Sequence, residues 1–303
     1  MSALTSKIEQ PTMDDYPTRK EQTPALLYRK DPAVYGDAAS GPIDTETLAS
    51  YDAKGYLQIE SLITRDELEA YRAELARIGS DDELKKDERV VVDQASDEVR
   101  SVFEVHRISP VFAELARDPR LVDRARQILG SDVYIHQSRL NHEPGFSGTG
   151  AFWNSDFETW HAEDGMPRMR AVGFSVALDD AHGHNGSPMV MPGSHRTFVS
   201  CVGETPGDHY REPPKQQEIG TPDQNSLSIL AEQHGIDVLT GPAGGAHILD
   251  ANCMHGSSGN ITPFPRSNVF VVYNSVENAC EAPFAASEPR PRYLGSRDFT
   301  PVE

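Results

Sequence analysis

Along the first third of the chain the apolar residues recur every three or four positions, the spacing of one buried helix face. Leu68, Tyr71, Leu75 and Ile78 follow this rhythm behind the run T-R-D-E, in which Thr64 and Glu67 predict a capping box; Gly79 offers the stop. Ser109-Pro110 predicts a second helix through VFAELAR, and Asp118-Pro119 a third, closed by Gly130 after LVDRARQIL. This half is expected to be largely helical. From residue 133 the pattern changes to short β-rich runs broken by Gly, Pro and Asn: VYIHQSRLN, AFWNSDF, MRAVGFSVALDD, SPMVMPGSH, GGAHILDANCMHG and SNVFVVYNSVEN. A polar insertion at 203–235, with a helix over SLSILAEQHG, interrupts them. Many short strands with turn punctuation suggest a sandwich or barrel, and the expected fold is mainly β with flanking helices, a helical layer beside a double-sheet jelly roll. Residues 1–42, rich in Pro, Thr, Asp and Lys and without periodicity, read as an irregular N-terminal arm; residues 43–303 read as a single domain.

Charge removes some functions from consideration. The formal net charge of -19 would repel a polyanion, so nucleic acid is not an expected partner. No run of eighteen apolar residues suggests a membrane span, and MSALTSKIEQPTMDDYPTRK has no apolar secretory core. The three cysteines, Cys201, Cys253 and Cys280, lack disulfide or zinc spacing. A cytoplasmic location is expected.

The chemistry-bearing residues lie in the β-rich half. In FWNSDFETWHAEDG, read as a buried strand, Asn154 and Asp156 are two apart and project to one face. About a hundred residues later, CMHGSSGNITPFPRSN carries His255 and then Arg266. One carboxylate with imidazoles on a shared face is a ligand set that suits Fe(II) in oxygenases, and an arginine beyond the last imidazole can grip a carboxylate bidentately. Such D…H…R arrangements also arise by chance.

The segments YIHQSR, SDFETWHAEDGMPRMR, MPGSHRTFVSCVGETP, GIDVLTGPAG, MHGSSGNITPFPRSNVFVVYNSVEN and RDFTPV resemble the ectoine hydroxylases, within the phytanoyl-CoA dioxygenase group of 2-oxoglutarate-dependent oxygenases. The resemblance implies a double-stranded β-helix (jelly roll, cupin-like) core, Fe(II), 2-oxoglutarate and molecular oxygen, and hydroxylation of the compatible solute ectoine to 5-hydroxyectoine. It also allows a homodimer. It implies Asp156 and His255 as catalytic iron ligands, Arg266 with Ser257 and Asn268 as the co-substrate site, and Gln137, Trp160 and Phe270 as the substrate pocket.

Several positions depart from that pattern. Asn154 stands where the first His ligand belongs, and a neutral amide oxygen is a weak ligand for Fe(II). Impaired or altered hydroxylation is expected. Ala151 and Leu249 replace larger aromatics, and His247 and His142 are additional histidines. Alternation places His247 inward, as a displaced ligand, a substrate contact or, more commonly, a half-buried His bonded to a backbone carbonyl. It places His142 outward on the surface. His161 is expected to orient Asp156 or Trp160, His195 to brace a turn, and His106 and His136 to sit in strands. Two other functions fit these departures: an oxygenase for a different small cyclic or amino-acid-like substrate, and a binding protein that has lost iron.

Overall fold

The structure, a computed structural model, describes residues 14–93, 96–146, 150–206 and 220–303. In chain order, β1 (Ala25–Tyr28) precedes α1 (Thr45–Lys54), β2 (Tyr56–Ile59) and α2 (Arg65–Gly79). Next come β3 (Val90–Asp93), β4 (Glu98–Phe103), α3 (Val105–Ile108), α4 (Pro110–Leu115) and α5 (Pro119–Leu129). The second half contains β5 (Val133–Glu143), β6 (Ala151–Asn154), α6 (Asp156–Thr159), β7 (Ala171–Ala177), β8 (Pro188–Val190) and β9 (Thr197–Ser200). It ends with α7 (Gln224–His234), β10 (Asp237–Val238), β11 (Ala246–Asp250), β12 (His255–Ser257) and β13 (Arg266–Ser275).

The helix signals act as the sequence predicts. At the start of α2, the Glu67 amide donates to the Thr64 hydroxyl at 3.3 Å and the Thr64 amide donates back to the Glu67 carboxylate at 2.7 Å. Thr64→Ala is expected to cost about 1 kcal/mol of stability, read as a lower urea midpoint. Ser109 and Asp118 cap α4 and α5, each with Pro at the first turn, and Gly130 closes α5 at φ +61°. Helix α1 was not foreseen. It has a good N-cap in Asp44 and a left-handed Gly55 at its end, but buries only Leu48 and Tyr51, too few apolar positions to make a stripe. The hairpin of β3 and β4 was likewise missed in a half expected to be helical.

Seven strands form the larger sheet in the order β2-β11-β7-β13-β5-β4-β3, and four form the smaller one in the order β10-β8-β12-β6. Every strand pair is antiparallel. One face of the larger sheet, with Leu140, Phe174, Val176, Ile248, Val269 and Val271, packs on the helices through Ile78, Phe112, Leu121 and Ile128. Its other face meets the smaller sheet, where Tyr56 and Leu249 pack against Val190, Leu239 and Cys253. The result is the expected jelly roll with helices on one side. Among the described residues no helix is long and apolar enough to cross a membrane. Part of the polar insertion, 207–219, lies outside the described residues, as do residues 1–13.

The N-terminal arm contains order its composition did not announce. Strand β1 pairs with β9, and the Tyr16 ring is buried against Phe157 and Phe198. Arg19 holds both oxygens of Glu158, at 2.9 and 2.6 Å, and one oxygen of Glu163 at 2.6 Å, with all three side chains almost fully buried. The arm is thereby clamped to the segment containing α6.

Candidate active site

Opposed residues in an antiparallel pair point to the same side of a sheet. Across β5 and β13 these pairs are Glu143 with Arg266, Asn141 with Asn268, Arg139 with Phe270 and Gln137 with Val272. On the other side of β13, Phe270 is opposite Ser175 of β7, which is opposite His247 of β11; Gly173 is opposite Leu249. Leu249 packs on the smaller sheet, so this whole set faces the interior between the sheets. In the smaller sheet Val190 is opposite His255, which is opposite Asn154. Since Val190 also packs on Leu249, the His255 and Asn154 side chains face the same interior.

Asp156 reaches this region differently from the sequence expectation. The run FWNSDFETW is not one buried strand: β6 stops at Asn154, Phe152 is exposed, and Asp156 opens a helical turn that continues as a π-turn over Trp160–Asp164. Backbone alternation therefore does not carry Asp156 to the side of Asn154. The extended Ser155 linker and the bend into α6 decide where it points.

Two of the three side chains, the His255 imidazole and the Asp156 carboxylate, are of kinds that bind Fe(II). The His255 Nδ1 donates to the Cys253 carbonyl at 2.9 Å, which leaves the Nε2 lone pair for a metal. Asp156 supplies a carboxylate. Asn154 turns its amide nitrogen to the Phe152 carbonyl at 2.9 Å, leaving the amide oxygen as its remaining donor to a cation. Among the described residues no three His, Cys, Asp or Glu side chains converge as a metal site.

On the larger sheet, Arg266 makes an ion pair with Glu143 at 2.7 Å. Asn268 donates to the Ser175 hydroxyl at 2.7 Å, and the Ser257 hydroxyl accepts from the Ala151 amide at 3.2 Å. Gln137 donates to the Leu294 carbonyl at 2.8 Å, which fixes its amide plane. Trp160 is buried, its ring 5.2 Å from that of His136, in one apolar cluster with Phe157, Val272 and Phe270. Gly173 leaves room for Phe270: a β-carbon there would lie 2.8 Å from the ring.

Arg139 was missed by the sequence reading. Its guanidinium sits 5.7 Å from the centre of the Phe270 ring and 5.6 Å from that of Phe103, and its Nε is buried without a partner. Burial lowers its pKa, against the opposing pull of Asp156 and Glu143. A half-buried guanidinium that faces the interior with its Nε unpartnered can anchor an anionic group. The signal was present, because Arg139 is two residues from Gln137 on a strand and shares its face.

Several histidines differ from expectation. His247 is buried facing inward, but its Nδ1 has no partner, and burial with help from Arg266 pushes its pKa down to about 4. The expected carbonyl partner is lacking because β11 is paired on both edges, which commits the nearby carbonyls to the ladder. The displaced-ligand role gains no support, since His247 joins no metal-like group among the described residues. His142 is half-buried with its Nδ1 2.8 Å from the Ser267 hydroxyl, because its side of β5 is covered by helices and not by solvent. His161 bonds the Met166 carbonyl and Asp14 and stacks on Phe284, bracing the π-turn without touching Asp156. His106 lies in α3, not in a strand; His136 lies in β5, and His195 bonds the Asp52 carbonyl.

Comparison with known proteins agrees with this architecture. The family described as phytanoyl-CoA dioxygenase (PhyH) matches residues 51–268. An ectoine dioxygenase of Nocardia farcinica is 54% identical over 290 residues, 96% of this chain and 96% of the relative. A crystal structure of EctD from S. alaskensis with 2-oxoglutarate and 5-hydroxyectoine superposes with a TM-score of 0.85 at 44% identity, covering 94% of this chain and 95% of that one. The same enzyme with bound Fe gives 0.86 at 43% identity, with 95% and 96% covered. The chain therefore belongs to the phytanoyl-CoA dioxygenase family, among the ectoine dioxygenases.

Proposed function

We propose that this protein is an Fe(II)- and 2-oxoglutarate-dependent dioxygenase that hydroxylates ectoine to 5-hydroxyectoine in the cytoplasm, with turnover limited by Asn154. The overall reaction consumes ectoine, 2-oxoglutarate and dioxygen and yields 5-hydroxyectoine, succinate and carbon dioxide. The observation that carries this reading is the near-full-length 54% identity to an ectoine dioxygenase, together with a single polar face that brings Gln137, Arg139, Asn268 and Arg266 into one interior.

Asp156 and His255 would hold the iron, which supplies the activation of dioxygen and the oxidation of both organic substrates. The remaining work belongs to the protein. Arg266 binds the distal carboxylate of 2-oxoglutarate, with Asn268 and Ser257 lining the same end. Gln137, with its amide oriented by Leu294, hydrogen-bonds the substrate, and Trp160 and Phe270 provide apolar walls against its ring. Arg139 offers a second cation for a carboxylate. Gln137 and Trp160 are buried and the other groups are half-buried between the two sheets, a setting with less water, which strengthens each polar contact.

Asn154 favours a second reading, a protein that binds substrate and co-substrate but turns them over poorly. Succinate release on adding ectoine, with and without Fe(II), tests both. Ectoine-dependent succinate with formation of 5-hydroxyectoine supports the first reading. Binding of ectoine without succinate supports the second. Release driven only by another small cyclic solute would move the assignment to a different substrate.

A further inference from the structure

The residue opposite Arg266 is a carboxylate. Glu143 and Arg266 are directly paired across β5 and β13, so backbone register, and not a chance rotamer, brings them together. The contact is made through one oxygen, Glu143 Oε1 to an Arg266 terminal nitrogen at 2.7 Å. Both partners remain incompletely satisfied: Glu143 Oε2 and Arg266 Nε are each buried without a hydrogen bond. His247, also with an unpartnered ring nitrogen, faces the same interior and lies within electrostatic reach of Arg266.

Charge and geometry together suggest what this pair does. A guanidinium fork and a carboxylate fit best through two parallel bonds, and one bond with two orphaned polar atoms is a weaker arrangement. An incoming carboxylate could complete the Arg266 fork, but would have to share it with Glu143 at like-charge distance or displace it. We propose that Glu143 is an internal competitor for the co-substrate clamp, setting the affinity for 2-oxo acids that carry a second carboxylate. Glu143 thus weakens selection for a dicarboxylic co-substrate while leaving a 2-oxo acid with an uncharged tail unaffected. This rests on the proposed role of Arg266.

Glu143→Gln preserves shape and removes the charge. The test is anaerobic calorimetry of the full chain with Fe(II), titrating 2-oxoglutarate and, separately, 2-oxobutyrate, with thermal melting to show that each variant is folded. The variant is expected to bind 2-oxoglutarate about tenfold more tightly, the scale of one charged hydrogen bond, and 2-oxobutyrate as before. Arg266→Ala, made alone and with Glu143→Gln, is expected to abolish the preference for the diacid. If Arg266→Ala weakens 2-oxoglutarate binding and Glu143→Gln does not strengthen it, the competitor role is wrong and the clamp stands. If Arg266→Ala changes nothing, or no version binds 2-oxoglutarate, the clamp itself is wrong and the competitor role falls with it.

Discussion

Asn154→His is expected to tighten Fe(II) binding by about a hundredfold and to raise ectoine-dependent succinate formation with it. The magnitude follows from the stabilisation that one ligand supplies in a multidentate protein site, roughly 3 kcal/mol when the total for four ligands is about 10–16 kcal/mol. Position 154 is opposite His255 across β6 and β12, so a second imidazole would start close to the first without a change of backbone. Competition with a colourimetric chelator under anaerobic conditions measures the affinity. Asp156→Ala in the same background should reverse the gain, because a lone pair of imidazoles lacks the carboxylate. An Asn154→His variant with unchanged iron affinity would show that residue 154 points away from the metal, and that turnover is limited elsewhere.

The second large effect is on stability. Arg19→Ala should destabilise the protein by about 3–5 kcal/mol, since it leaves Glu158 without its bidentate partner and removes a cation from Glu163 in a buried setting. For a chain of this size that is a fall in melting temperature of roughly 5–8 °C. Glu158→Gln combined with Arg19→Met is expected to recover part of the loss, because it removes one of the stranded charges along with the cation. The site should feel the same change. Glu158 lies two residues after Asp156 in α6, so, with Asp156 as the proposed iron ligand, loosening that turn is expected to weaken iron retention before the whole molecule unfolds. Iron release monitored during heating, beside the unfolding signal, distinguishes local loosening from global loss.

What the sequence revealed, and what it concealed, has a physical pattern. Capping residues act through neighbours two or three positions away, so the α2, α4 and α5 boundaries were readable from Thr64, Ser109-Pro110 and Asp118-Pro119. Helix α1 was not, because its apolar stripe is two residues long. Alternation along β11 correctly put His247 on an inward face, yet could not supply its partners, which depend on pairing at both strand edges. The run from Asn154 to Trp160 showed the opposite failure: its aromatic residues looked like a strand, while the chain bends into a helical turn after Ser155. The Arg266–Glu143 pair was invisible for a third reason. The partners are 123 positions apart, and nothing local to either residue announces the register that joins them.

Strand β13 presents Val269 and Val271 to the helices and Arg266, Asn268 and Phe270 to the interior between the sheets. Consecutive positions on a single strand thus answer to separate selective demands, one for a stable architecture and the other for chemical preference. A substitution in the interior row, such as one at Glu143 on β5, leaves the helix-facing contacts of the neighbouring positions in place.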